Sequence, residues 1–225
     1  MSKRAIFLSG KRGGGGYVPT TTTTTWQVSA GGDDGWAQHG TTTTMFTGDA
    51  LIGGFFVYST GMGGMPYGTY AFCRFQNVGI PQGATIDTAK LTFKTQATSS
   101  GGAEHGDLDA HTFKVDAIDE DDVSAPSAAS DVNDSAATTE EIVDWSLTSS
   151  VADDADLDTP EIKTVLQEIV NRGGWASGNA VMFRYYSEET DSSDSSGSTV
   201  DCRLDVQSYE ESSSNAAKLV VTYTA

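Results

Sequence analysis

The chain has only two cysteines, Cys73 and Cys202, in 225 residues. Two are too few for a disulfide framework. Both sit in strand-like runs facing inward, either as two buried thiols or as one bridge. No apolar run approaches the ~20 residues that span a bilayer, so no membrane partner is expected. Basic residues are scarce as well: 13 Lys and Arg stand against 31 Asp and Glu, a formal charge of −18. A body this acidic repels a phosphate backbone, so nucleic acid is not an expected partner. The three histidines, His39, His105 and His111, lack metal-ligand spacing, and neither HExxH nor GxSxG occurs. Nothing singles out a nucleophile and its base, so no catalytic residue is assigned and no enzyme is expected.

What is abundant is Thr, Ser and Gly between short alternating apolar runs, with 37% hydrophobic residues overall. This pattern suits many short strands and long polar loops. Strands are expected at 26–30, 41–46, 51–58, 69–76, 89–94, 111–118, 138–145, 179–186, 200–208 and 219–223. Asp33-Asp34-Gly35-Trp36 reads as a turn. One amphipathic stretch stands apart, residues 158–186. Ile162, Val165, Leu166, Ile169 and Val170 share a helical face, Thr159 is the expected N-cap, and Gly173-Gly174 is the expected stop through positive φ. The fold class is therefore all-β, a jelly-roll-like antiparallel β-sandwich with one short α-helix at about 159–172, closing one end or face of the β-structure. One core suffices for this length.

The domain division expected is an N-terminal basic, Gly- and Thr-rich arm at 1–25 and a single sandwich domain at 26–225. Lys3, Arg4, Lys11 and Arg12 place four of the basic residues in the first twelve positions. Gly13 to Gly16 form a hinge. Ala5 to Leu8 is too short for a signal-peptide core, so conventional secretion is not expected. Ile6, Phe7 and Leu8 could instead add as a strand to a neighbour's sheet edge. The arm residues Lys3, Arg4, Ile6, Phe7, Leu8, Lys11 and Arg12 thus form the candidate partner-binding segment.

Two further candidates come from residue type. Calcium is the ion that suits the acidic loops, and Asp154, Asp156 and Asp158 stand at alternate positions, although the EF-hand glycine is missing. No other cofactor is implied. Among Trp26, Trp36, Trp145 and Trp175, Trp36 is the candidate for an exposed glycan contact, whereas Trp175 is expected in the core.

Arg74-Phe75, Ile80-Pro81, Gly83-Ala84-Thr85-Ile86 and Ala89-Lys90-Leu91, the later TPEIKTVLQEIVNRGGWASGNAV and the closing AAKLVVTY together resemble the DNRLRE-type β-sandwich family, similar to carbohydrate-binding modules. The resemblance runs from about Trp26 to Tyr223. It implies a non-catalytic module of the kind found on phage virions and secreted cell-surface proteins. Without a signal peptide, it points to a virion structural protein of a phage. The expected role is a capsid or tail decoration or cement protein, assembled in the host cytoplasm, self-associating and contacting other virion proteins. The alternative is an extracellular carbohydrate-binding module for glycan or cell-surface adhesion.

Overall fold

The computed structural model describes residues 18–38, 44–48, 51–57, 66–96, 111–147, 151–187 and 202–225. They form two antiparallel sheets packed as a sandwich, with one α-helix. In chain order the strands are β1 (Thr21–Gln27), β2 (Asp34–Gln38), β3 (Met45–Phe46), β4 (Leu51–Val57), β5 (Pro66–Phe75), β6 (Thr85–Lys94), β7 (His111–Ala117), β8 (Val143–Leu147), β9 (Asp156–Asp158), β10 (Val181–Ser187), β11 (Cys202–Val206) and β12 (Lys218–Thr224). Helix α1 spans Lys163–Val170. The smaller sheet runs β1-β12-β6-β9. The larger runs β11-β4-β5-β10-β7-β8, with β2 on β5 and β3 on β2.

The threonine run read as part of the arm is strand. Thr21 to Gln27 pair in register with Thr224 to Lys218, and Oγ1 atoms meet across the pair at Thr21–Thr224 and Thr23–Thr222, both 2.9 Å. The β-branched side chains suit this pleated, half-exposed surface. Among the described residues the first strand therefore begins at Thr21, five residues before Trp26. Residues 1–17, with most of the expected arm, lie outside the described residues.

Alternating side chains of both sheets fill the space between them. Leu91, Phe93, Leu219 and Val221 come from the smaller sheet, and Phe75, Phe113, Val115, Phe183 and Tyr185 from the larger. Tyr185 is the hub, with ring centroids 5.5 Å from Phe93, 5.9 Å from Trp145 and 6.3 Å from Phe113. Its hydroxyl donates to the Leu204 carbonyl at 3.1 Å, which satisfies the one polar atom that this burial would strand. The helix stripe is as expected: Ile162, Val165, Leu166, Ile169 and Val170 are all fully buried.

The larger sheet is covered on both faces around β5 and β10. Residues 119–137 fold over its outer side, burying Val123, Ala129 and Val132 against Phe72 and Met182. This explains why β10 is buried from Val181 through Tyr186 without alternation. An ion pair anchors the cover. The Arg184 guanidinium donates to both carboxylate oxygens of Asp116, at 2.8 and 2.5 Å, and to the Val132 and Asn133 carbonyls at 2.8 and 2.6 Å. It also lies 4.9 Å from the Tyr70 ring centroid. Burial pushes the Asp116 carboxyl above its ordinary range, and the guanidinium pulls it back. Burial works against the Arg184 charge too, but Asp116 outweighs it and keeps the guanidinium protonated.

Several local expectations are corrected. The helix starts at Lys163, and Ile162 precedes it without a side-chain cap. Thr159 is drawn off by β6: its Oγ1 accepts from the Leu91 N–H at 3.0 Å. Gly173 and Gly174 do not take positive φ. Asn171 ends the helix in right-handed geometry, and successive tight turns carry the chain on. The expected Asp33–Trp36 turn is largely strand β2. A Cβ on Gly35 would lie 2.1 Å from the Phe46 carbonyl oxygen, so glycine is there to admit β3. Thr138 forms only an isolated bridge, and β8 starts at Val143. Within the expected 149–158 loop, Asp156–Asp158 pair with β6.

Cys73 is a buried free thiol. Cys202 stands opposite Phe55, and Phe55 opposite Gly68, five positions along β5 from Cys73. That separation is about 16 Å along the strand, too far for a bridge.

Candidate functional site

The residues singled out from sequence fall into three groups. Lys3, Arg4, Ile6, Phe7, Leu8, Lys11 and Arg12 lie outside the described residues. What the structure does place is the strand that continues from them. Among the described residues β1 is an edge of the smaller sheet, and Val18 just before it is 79% exposed. Residues 1–17 carry four of the 13 basic residues and none of the 31 acidic ones. The leader and the body are therefore of opposite sign.

Asp154, Asp156 and Asp158 do not converge. Asp158 accepts from Lys90 Nζ at 2.5 Å and Thr92 Oγ1 at 2.7 Å, Asp156 pairs with Lys94 Nζ at 3.3 Å, and Asp154 accepts from Gln207 Nε2 at 3.0 Å. Burial opposes the Asp158 charge, but Lys90 and Thr92 hold its carboxyl below the ordinary range. Alternate positions put Asp156 and Asp158 on one side of β9, where each meets a lysine projecting from β6. No group of three His, Cys, Asp or Glu suited to a metal ion occurs among the described residues. No helix among them is long and apolar enough to cross a membrane.

Trp36 is buried, with 7% exposure, and stacks on Phe46 at a centroid distance of 4.2 Å. It cannot present a face to a sugar in this arrangement. Trp145 and Trp175 are buried too, Trp175 donating Nε1–H to the Ile80 carbonyl at 2.9 Å. Trp26 is half-buried and donates to the Asn77 carbonyl at 3.1 Å. No tryptophan platform is formed.

Two places in the structure were not legible beforehand. One is a groove of about 530 Å³ beside α1, lined by Glu140, Glu141, Lys163 and Glu168 among others. Glu168 accepts from the Glu140 and Glu141 N–H groups at 2.9 and 3.0 Å, which fixes the groove's wall. Ile86, also in its lining, stands opposite Tyr223 in the smaller sheet, and Tyr223 opposite Thr22 near the start of β1. The other is a knot of carboxyl groups at the opposite end of β1. Asp33 accepts from Arg74 Nη1 at 2.6 Å and Gln76 Nε2 at 2.5 Å. Asp34 is fully buried, and its Oδ2 accepts from the Tyr209 N–H at 2.9 Å. Burial first, then the charges of Glu210 and Asp33, push the Asp34 carboxyl up to about 7. The repeated aspartates at 33–34 were visible in the sequence, but the Tyr209 N–H that meets Asp34 from 175 positions away was not.

Neither place brings a nucleophile to a base beside an open cleft. Compared with known proteins, the chain matches no family model and no curated sequence.

Proposed function

We propose that this protein is a non-enzymatic structural component of a phage virion, a decoration or cement protein of the capsid or tail that docks through its N-terminal arm. The observation that carries the docking is the edge position of β1, which continues directly into a cationic leader on a strongly acidic body. An edge strand can extend its pairing to a neighbour, and opposite charge steers the encounter. The filled interior, with Tyr185, Phe93, Phe113 and Trp145 in contact at its centre, supports a rigid spacer over a container for a ligand. The virion setting rests on the motif resemblance. Self-association and contact with other virion proteins follow from the same reading.

The test is deletion of residues 1–16. Occupancy on particles assembled without the protein should fall at least ~10-fold, while the thermal midpoint stays put. Undiminished occupancy overturns the proposal. A glycan array on the full chain examines the carbohydrate-binding alternative, which the burial of Trp36 leaves without its expected contact.

A further inference from the structure

The groove beside α1 is built before anything enters it. Gln167 ties the helix to β6: its Oε1 accepts from the Ile86 N–H at 2.8 Å, and its Nε2 donates to the Ala84 carbonyl at 2.9 Å. Glu168 holds Glu140 and Glu141 by their backbone N–H groups. The Glu140 and Glu141 carboxylates themselves are exposed and have no ion-pair partner among the described residues. The lining carries three glutamates against one lysine, Lys163. Among the described residues, no buried polar atom left without a partner lines the groove. It lacks the convergent buried polar groups that fix a small ligand, so an extended chain of positive charge fits it better.

The place where the leader joins the body favours the leader as that chain. Ile86 of the lining, Tyr223 and Thr22 stand in line across the smaller sheet. Two strand spacings, about 10 Å, separate Thr22 from Ile86. Arg12 lies nine residues before Thr21, and Lys11 ten. An extended chain of that length spans up to about 30 Å, so both basic residues can reach the groove from β1. The large apolar side chains exposed among the described residues are Val18, where the leader enters, and Ile142, next to Glu141. Ile6, Phe7 and Leu8 of the leader supply apolar partners for such a surface.

We propose that residues 1–17 seat in the α1 groove of their own chain, with Lys11 and Arg12 set against Glu140 and Glu141. Exposed ion pairs of this kind are weak one at a time. The tether compensates, because it gives the leader an effective concentration on the order of millimolar and so favours the chain's own groove over that of a second copy in dilute solution. The seat concerns the free molecule and goes beyond the virion reading: a leader held there must leave its groove before it can pair with a neighbour.

Limited trypsin digestion of the full chain tests this, because trypsin cuts after Lys11 and Arg12. Rates are taken relative to a synthetic peptide of residues 1–17 under the same conditions. Seating should slow both cuts at low salt, and the double variant Glu140→Gln, Glu141→Gln should speed them at least ~5-fold, as should about 0.5 M NaCl on the unaltered protein. Equal rates in the variant and the unaltered protein overturn the proposal. Both substituted side chains are exposed, so the variant should keep its thermal midpoint. Carbodiimide coupling of an equal mixture of isotopically light and heavy chains then identifies whose groove is filled. Lys11 should couple to glutamates of its own label, whereas products joining light to heavy chains put the leader in a neighbour's groove and overturn the proposal too. Particle occupancy is a separate readout, so the failure of one proposal leaves the other standing.

Discussion

Asp34 shows how much one side chain can impose. Its carboxyl titrates near 7 in the folded chain against an ordinary 3.8. The native state thus holds a proton that the unfolded state has lost across this window. Stability must then fall as pH rises from about 4 through 7, by at most about 4 kcal/mol for a shift of this size. Asp34→Asn removes the titrating group, so the urea midpoint of that variant should be nearly level from pH 5 to pH 8 while that of the unaltered protein declines. A parallel decline in both would show that Asp34 does not titrate as its burial requires. Acid-loving behaviour of this kind cannot be read from Asp33-Asp34-Gly35-Trp36, which carries every mark of a solvated turn. The turn signal is local, whereas the partners that bury Asp34 come from β5 and from the turn before β12.

Elements keep their identity through interactions that sequence periodicity does not record. The apolar stripe of α1 was legible because helical spacing survives in one dimension. Its start was not, because β6 competes for Thr159 and wins its hydroxyl. The cover at 119–137 is another case. Its Ala, Ser and Asp content resembles a solvated loop, and its burial depends on Arg184 reaching two of its carbonyls from β10. Arg184→Met would strand the Asp116 carboxylate and both carbonyls together. The expected destabilisation is about 3–5 kcal/mol, the usual penalty for halving a buried pair. Proteolysis within 119–137 should accelerate as the cover lifts. A change under 1 kcal/mol would mean that the apolar contacts of Val123, Ala129 and Val132 hold the cover unaided.

At the scale of the whole molecule, the sandwich was legible and its wiring was not. Alternation marked most strands, since period-2 burial is written into each run. Which strand lies beside which depends on pairings such as Thr21 with Thr224, 203 positions apart, and no local pattern encodes them. The charge asymmetry between leader and body was plain from composition. The carboxyl knot and the groove beside α1 exist only once distant turns converge.

One of those pairings has a mechanical corollary. The start of β1 and the finish of β12 lie at the same corner, and Thr20 and Ala225 exchange both backbone hydrogen bonds, at 2.9 and 3.2 Å. A pull applied between residues 20 and 225 would load these rungs one at a time, as in a zipper. A pull between residues 27 and 225 would strain all the rungs together in shear. Single-molecule stretching should find the first geometry yielding at a clearly lower force, and equal forces would contradict the pairing. If the protein bears load in an assembly, tension led in through the β1 corner would peel the domain open, whereas tension led in through the opposite rim would meet its full resistance.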